Sequence, residues 1–191
     1  MRSRLFIALE MTQNVRDEIR NIQRHLLPLP CDVKWVQTEN IHLTLKFLGD
    51  VPIDKNEAII KAMAECLQNF SALDIELTQL GAYPDSRQPR VIWIGIDPSA
   101  SKKIKEITGQ LEDKLCQIGF PKEEREIDPH VTIGRIKSEK NLSLLRDALQ
   151  KKIFSSPGIQ QINSVTLFKS TLTSLGPHYE GIFTHLLKES D

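Results

Sequence analysis

The stretch Ile41-His42-Leu43-Thr44-Leu45-Lys46-Phe47-Leu48-Gly49 decides the fold class, because polar and apolar residues alternate along it. Successive side chains of a β-strand point to opposite faces, so this alternation predicts a strand with one polar and one apolar face. The apolar face, predicted to pack on the core, would carry Leu43, Leu45 and Phe47. The polar face would carry His42, Thr44 and Lys46. An imidazole and a hydroxyl would therefore lie side by side on one face.

The same pattern recurs at Asp128-Pro129-His130-Val131-Thr132-Ile133-Gly134, where His130 and Thr132 again share one face. Two of the five histidines therefore begin a His-x-Thr sequence inside a predicted strand. One such sequence would carry little information, since about one residue in twenty is threonine. For a single copy, a hydrogen-bonded histidine on a half-buried strand, with threonine present for its β propensity, is an equally good interpretation. The duplication favours a functional pair.

Composition indicates a globular protein. The chain has 191 residues, of which 40% are hydrophobic, enough for one sizeable domain or two small lobes. Lys and Arg together number 25, as do Asp and Glu, so no overall field attracts nucleic acid or a membrane. This balance argues against a non-specific nucleic-acid coat protein and leaves room for a small, locally basic site.

The sequence also predicts a compartment. The N-terminal run is basic and then apolar, but it stops at Glu10, too soon for a secretory signal, so we interpret it as a first strand. No apolar run reaches transmembrane length. The three cysteines are widely spaced and form no CxxC pair, which is typical of reduced thiols. We therefore expect a cytoplasmic protein without a membrane partner.

Hydrophobic periodicity predicts mixed strands and helices. Strands are predicted over residues 4–9, 31–36, 40–48, 73–78, 90–96, 162–169 and 181–187, the last two joined by a loop that contains Gly176 and Pro177. Helices are predicted from near Thr12 to a point before Pro28, from a cap at Asp54 to near Phe70, from a cap at Ser99 to Ile118, and around Leu142–Leu149. An exposed loop tip is predicted at Asp85-Ser86-Arg87. One-sided alternation favours antiparallel pairing, so the fold class is α+β.

The two motif strands begin 88 residues apart, each after about one strand–helix–strand set. This spacing predicts two similar halves related by a pseudo-twofold axis, with the motif strands facing each other across a cleft. We treat the internal symmetry as a hypothesis because the shared sequence is short.

Several stretches together resemble one family. They are Leu5-Phe6-Ile7-Ala8-Leu9, Lys34-Trp35-Val36, Glu39-Asn40 followed by the first motif, Pro89-Arg90-Val91-Ile92-Trp93, Pro129-His130-Val131-Thr132-Ile133-Gly134-Arg135, and Ser170-x-Leu172 followed by Gly176-x-x-Tyr179. From residue 4 to residue 186 the chain resembles the RNA 2′,3′-cyclic phosphodiesterases, historically called 2′-5′ RNA ligases, of the 2H phosphoesterase superfamily. Both His-x-Thr-x tetrads are intact.

The resemblance implies a bilobal α+β fold, formed by residues 1–191 as one domain, with two antiparallel sheets and flanking helices around a central cleft. It implies hydrolysis of RNA ends or nucleotides that carry a 2′,3′-cyclic phosphate, with a 2′-phosphomonoester as product. It implies neither a metal nor another cofactor, and we expect a monomer.

The chemistry explains why two histidines are useful. Opening a cyclic phosphate needs a base that takes a proton from water and an acid that gives one to the leaving ribose oxygen, and imidazoles near neutrality can supply both. The hydroxyls of Thr44 and Thr132 are well placed to stabilise charge on the phosphate oxygens. Internal symmetry leaves the two roles open. By resemblance, His42 is the proton donor and His130 the proton acceptor.

Four further residues are weaker candidates for substrate binding. Lys46 shares the predicted face of His42, although a solvated strand lysine is as good an interpretation. Strict alternation puts Arg135 opposite His130, so it reaches the site only if the strand bends after Gly134. Tyr179 and Phe6 are candidates for stacking on a base or ribose, with a place in the core as the alternative.

Four other functions stay open from the residues alone. A metal-dependent hydrolase would use the histidines as ligands, but the tetrads have no adjacent carboxylate and threonine is a poor zinc ligand. Transfer through a phosphohistidine needs only one histidine. A non-catalytic RNA-end binding module would not need titrating side chains. Reversible 2′-5′ joining of RNA ends would use the same two histidines, and the absence of GxxxxGK[ST] speaks against an ATP-driven ligase step.

Overall fold

Strands and helices follow one another in an order that nearly repeats. The structure is a computed structural model that describes residues 1–85, 88–150, 159–174 and 176–189. Its strands are β1 (Arg2–Glu10), β2 (Val33–Trp35), β3 (His42–Pro52), β4 (Leu73–Ile75), β5 (Leu77–Tyr83), β6 (Val91–Ile96), β7 (His130–Ile136), β8 (Gln160–Ile162), β9 (Ser164–Thr173) and β10 (Gly176–Leu186). Its helices are α1 (Gln13–Leu26), α2 (Asn56–Leu67), α3 (Pro98–Gln117) and α4 (Leu142–Leu149), with 3-10 turns at Thr38–Asn40 and Ile53–Lys55.

Two four-stranded sheets carry the two motif strands. The first sheet has the order β10-β9-β1-β3 and the second has the order β2-β7-β6-β5, and all their neighbours are antiparallel. Strands β4 and β8 form a separate antiparallel pair. The α+β class and the two antiparallel sheets predicted above are confirmed.

The two halves of the chain exchange strands. The order β1-α1-β3-α2-β4-β5 is followed by β6-α3-β7-α4-β8-β9, with β2 and β10 as additions. Strand β5 of the first half pairs with β6, and β9 of the second half pairs with β1. The equivalent strands β4 and β8 pair with each other. Each lobe is therefore built from both halves of the sequence.

Helix α1 follows its apolar stripe. Val15, Ile19 and Ile22 are fully buried, and the Thr12 side chain accepts a hydrogen bond from the backbone N–H of Val15. Two predicted caps were wrong. Asp97, not Ser99, caps α3 by accepting from the N–H of Ala100, because Pro98 occupies the first helical position. The predicted cap Asp54 lies inside the 3-10 turn that precedes α2.

Strand β3 contains two bulges, and these change which side chains reach the cleft. Along β1, Ala8 pairs with Thr44, Ile7 with Lys46 and Phe6 with Phe47, so Leu45 is an extra residue. The alternation predicted from the sequence is therefore wrong beyond Leu45. Lys46 turns toward the core and is 3% exposed, whereas Phe47 turns to the His42 face and is 62% exposed.

Strand β7 has a bulge at the equivalent place. Trp93 of β6 pairs with Thr132 and Ile92 pairs with Gly134, so Ile133 is the extra residue, three positions after His130 as Leu45 is after His42. The bulge turns Arg135 to the face of His130. The irregularity that brings Arg135 to this face therefore lies at Ile133, one residue before Gly134, and not after Gly134 as expected.

The last hairpin is longer than predicted. Gly176 and Pro177, expected in a loop, belong to β10 and pair with Thr173 and Leu172 of β9. Residues 171–174 are solvent-exposed, so they lack the apolar alternation by which strands are recognised in a sequence.

Of the predicted loop tip, Asp85 is exposed and residues 86 and 87 lie outside the described part of the chain. In that part no helix is both long and apolar enough to cross a membrane.

Candidate active site

The two motif histidines occupy equivalent positions on strands that meet. His42 is the first residue of β3, His130 is the first residue of β7, and these two strands contact each other between the sheets. His42 Nδ1 lies 2.7 Å from the carbonyl oxygen of Asn40, and His130 Nδ1 lies 2.7 Å from that of Asp128. A carbonyl oxygen can only accept, so each Nδ1 carries its proton. Each Nε2 is thereby left to exchange protons with a ligand.

Asn40 and Asp128, whose carbonyl oxygens bind the two histidines, each form a side-chain hydrogen bond to a neighbouring strand. Asn40 donates through Nδ2 to the carbonyl oxygen of Pro177 in β10, at 2.9 Å. The hydroxyl of Tyr83 in β5 donates to Oδ2 of Asp128, at 2.5 Å. Burial, followed by this hydrogen bond and the charge of Asp128, raises the pKa of the Tyr83 hydroxyl, so it remains a donor. These positioning residues were not singled out by the sequence analysis.

Aromatic rings pack around His42. The ring centroid of His42 lies 4.9 Å from that of Phe6, 5.3 Å from that of Tyr179 and 6.4 Å from that of Phe168. Phe6 is 3% exposed, so the prediction that it stacks on a substrate is replaced by its alternative, a place in the core beneath His42. Tyr179 is partly exposed on the same face and remains a candidate for substrate contact.

His130 has an aromatic support of its own. Its ring centroid lies 5.0 Å from that of Tyr83 and 6.2 Å from that of Trp93, and the Tyr83 and Trp93 rings stack at 5.1 Å. A Cβ added at Gly81 would lie 2.2 Å from the Trp93 ring, so only glycine leaves room for it. Tyr83 lies two residues before the predicted loop tip, and no local sequence pattern indicates that it supports His130.

The electrostatic setting of His42 favours its neutral form in the free protein. Burial lowers the pKa of His42, the hydrogen bond to the Asn40 carbonyl opposes this, and the charges of Arg135 and Arg16 lower it further. The charge of Arg135 also acts on the hydroxyl of Tyr179. Arg135 of the second sheet is therefore close enough to affect two groups of the first sheet.

The remaining predicted donors lie on the same two faces. Thr44 pairs with Ala8 and Thr132 pairs with Trp93, and both threonines are partly exposed. Phe47, five residues after His42, takes the place that Arg135 takes five residues after His130. Alternation along the sequence places Phe47 on the core face, because the bulge that reverses its direction leaves no local signal.

Lys46 does not contribute to the cleft, and its predicted role in substrate binding is wrong. Its Nζ donates to Oε1 of Glu112 at 2.8 Å, to the carbonyl oxygen of Pro121 at 2.8 Å and to Oε1 of Glu123 at 3.0 Å. All three protons of the ammonium group thus have partners behind β3. These hydrogen bonds connect the bulge at Leu45 to α3 and to the segment that follows α3.

Gln23 of α1 holds the bulge at Ile133 in β7. It is 6% exposed, and its Nε2 donates to the carbonyl oxygens of Val36 at 2.8 Å and Ile133 at 3.0 Å. The bulges at Leu45 and Ile133 are therefore each held from behind by a buried polar side chain. In both cases a helix of the other half of the chain takes part.

Metal ligands would have to come from side chains that lie close together. Within residues 1–85, 88–150, 159–174 and 176–189, no three side chains of His, Cys, Asp or Glu come together as a metal site would require.

Comparison with known proteins places the chain in a family. The family model described as LigT like Phosphoesterase matches twice, over residues 9–93 and 94–179, and the two matches meet within β6, close to the boundary between the two halves of the fold. The chain is 36% identical to the RNA 2′,3′-cyclic phosphodiesterase of Methanocaldococcus jannaschii, over 94% of this chain and 98% of that protein. It is 33% identical to the protein of the same name from Aquifex aeolicus, over 92% and 93% of the two chains.

Solved structures share the fold. TT0787 of Thermus thermophilus superposes with a TM-score of 0.81 at 19% identity, covering 98% of this chain and 100% of that one. E. coli LigT in its apo form superposes with a TM-score of 0.75 at 23% identity, covering 98% and 99%. The matched halves, the relatives and the shared two-lobed architecture agree, and the chain belongs to the LigT-like phosphoesterase family.

Proposed function

We propose that this enzyme hydrolyses the 2′,3′-cyclic phosphate at an RNA end to a 2′-phosphomonoester, with His42 as general acid and His130 as general base. The observation that carries the proposal is the pair of equivalent histidines on contacting strands, each with Nδ1 bound to a carbonyl and Nε2 available. Relatives that match this chain over nearly their whole length carry the name RNA 2′,3′-cyclic phosphodiesterase. Small nucleotides with the same cyclic end fall in the same substrate class.

The proposed reaction moves two protons. His130 Nε2 takes a proton from water as the water oxygen bonds to phosphorus, and the bond from phosphorus to the 3′-oxygen breaks. His42 Nε2–H gives its proton to that 3′-oxygen, so the 2′-oxygen keeps the phosphate. The hydroxyls of Thr44 and Thr132 and the guanidinium of Arg135 donate to the non-bridging oxygens, where negative charge develops.

The lowered pKa of His42 fits this assignment when the substrate is included. In the free protein His42 is more readily neutral than an ordinary histidine. A phosphate anion beside the ring favours the charged form, because opposite charges at short range stabilise one another. Binding of the substrate would therefore bring His42 into the protonated state that an acid requires.

We also propose that residues 1–191 act as one bilobal unit and as a monomer. Strands β5 and β9 each pair with the other half of the chain, so neither half completes a sheet by itself. Both histidines come from one chain, so the proposed site needs no second copy.

The product tests the proposed direction of ring opening. Incubation with a nucleoside 2′,3′-cyclic monophosphate in water enriched in oxygen-18 should give a 2′-phosphate that contains one solvent oxygen, as measured by chromatography and mass spectrometry. A 3′-phosphate product would contradict the placement of His42 beside the 3′-oxygen. A labelled ribose oxygen would contradict attack at phosphorus.

A further inference from the structure

A cavity of about 280 Å³ opens beside His42 on the cleft face of the first sheet. Besides His42, its walls come from β1, β9 and β10, from the start of α1, and from the 3-10 turn before β3. Among the described residues, none from the second sheet lines it. The cavity therefore adjoins the proposed acid and not the proposed base.

A carboxylate is held in place at the wall of this cavity. Glu10 pairs with His42 across β1 and β3, and its Oε1 accepts from the hydroxyl of Thr166 at 2.9 Å. Thr166 is 1% exposed and lies 3.0 Å from the hydroxyl of Thr184. Because the one proton of Thr166 goes to Glu10, Thr184 must donate to Thr166. Arg16 approaches Oε2 of Glu10 to 3.9 Å. A carboxylate has about four acceptor positions, so Glu10 can still accept from a ligand.

The charges and the size of the cavity indicate what it can bind. The lining residues include two acidic side chains, Glu10 and Glu39, and one basic side chain, Arg16, so their net charge disfavours a phosphate group. The volume lies just below the usual range of small-ligand sites, which fits one planar ring system and nothing larger. Phe168 and Tyr179 supply aromatic surface of the kind on which bases stack. A neutral base with hydrogen-bond donors on its edge meets all three conditions.

The proposed reaction determines on which side of the cleft the nucleobase of the substrate lies. His42 protonates the 3′-oxygen, so the ribose that carries the cyclic phosphate must lie on the His42 side of the cleft. We propose that the cavity binds the nucleobase of that terminal nucleotide and that Glu10 favours guanine. Guanine presents two adjacent N–H donors to the two oxygens of a carboxylate, whereas the other three bases present one such group. This inference rests on the proposed function.

The test compares the four nucleoside 2′,3′-cyclic monophosphates on the wild type and on Glu10→Gln. Glutamine keeps the shape of glutamate and can still accept from Thr166, but it presents one acceptor oxygen where the carboxylate has two. We expect the lowest KM for the guanosine substrate in the wild type. Glu10→Gln should raise that KM by about 5-fold or more, since one good bidentate base contact discriminates by at least this factor. The KM for the uridine substrate should change by less than about twofold.

A matched control is Glu180→Gln. Glu180 pairs with Lys169 on the face of the first sheet opposite Tyr179, so this variant should keep the wild-type order of the four KM values. An equal rise of all four KM values in Glu10→Gln, or an unchanged KM for guanosine, would overturn the inference.

Binding of the products separates this inference from the proposed function. By calorimetry, guanosine 2′-monophosphate should bind the wild type more tightly than uridine 2′-monophosphate, and Glu10→Gln should remove most of the difference. This holds whether or not turnover is detected. Equal affinities in the wild type would overturn the base site, whereas absence of turnover with any of the four substrates would refute only the hydrolysis.

Discussion

The buried ammonium group of Lys46 offers a sharp test of how the bulge at Leu45 is held. Replacing Lys46 by Met keeps the aliphatic stem and removes the charge together with three hydrogen bonds. Of its partners, the Glu123 side chain is 58% exposed and can return to water. The Glu112 side chain is 15% exposed and would keep one described donor, the backbone N–H of Glu123 at 3.1 Å. The carboxylate of Glu112 is therefore the group that loses most.

Removing one partner of a buried ion pair destabilises a protein by about 3–5 kcal/mol, because the other charge stays buried without compensation. Since one of the two carboxylates is largely exposed, we expect the lower end, about 3 kcal/mol. The measurement is urea unfolding at pH 7, comparing the free energy of unfolding of the wild type and Lys46→Met. Phe47 follows Lys46 directly, so we also expect a raised KM for the cyclic phosphate substrate.

Two further variants make this prediction specific. Lys46→Met combined with Glu112→Gln leaves no orphaned charge and should recover more than half of the lost stability. Lys114, which lies on the same helix as Glu112, forms an exposed pair with Glu65, and Lys114→Met should cost less than about 1 kcal/mol. A loss below about 1 kcal/mol in Lys46→Met would refute the reasoning. So would a double variant no more stable than the single one.

The other predictions concern the surroundings of each histidine. Because the charge of Arg135 lowers the pKa of His42, Arg135→Gln should raise it, and the limb on which kcat/KM falls with rising pH should move to higher pH. Arg16 contributes less to the same pKa, so Arg16→Gln should move that limb by a smaller amount. The reverse order of the two shifts would contradict the placement of Arg135. Gly81→Ala should displace the ring of Trp93, with a loss of about 1–3 kcal/mol and an altered near-ultraviolet circular dichroism spectrum.

Local sequence pattern was sufficient for the elements that pack by simple periodicity. The stripe of α1 and the first residues of each motif strand follow directly from apolar spacing, because burial on one face needs no information from elsewhere in the chain. The same holds for the shared face of His42 and Thr44, and of His130 and Thr132, since each pair precedes its bulge.

The wrong predictions concern side chains whose direction or partners are determined by a distant part of the chain. A bulge is defined by the pairing register with the neighbouring strand, so the sequence around Leu45 or Ile133 contains no pattern that predicts it. The inward direction of Lys46 could not be predicted from its neighbours in the sequence, because its partner Glu112 lies 66 residues further along. The support of His130 by Tyr83 likewise depends on the pairing of β5 with β6. Contacts across the cleft, such as the effect of Arg135 on His42, follow only from the arrangement of both sheets.

The central claim is that two histidines, without a metal ion, open a cyclic phosphate. Its most direct test is turnover of a nucleoside 2′,3′-cyclic monophosphate by purified protein in EDTA, beside His42→Ala and His130→Ala. We predict full activity in EDTA and a loss of about 100-fold or more in each variant, the usual contribution of a general acid or base. Loss of wild-type activity in EDTA, or near-normal rates in either variant, would contradict paired acid–base catalysis.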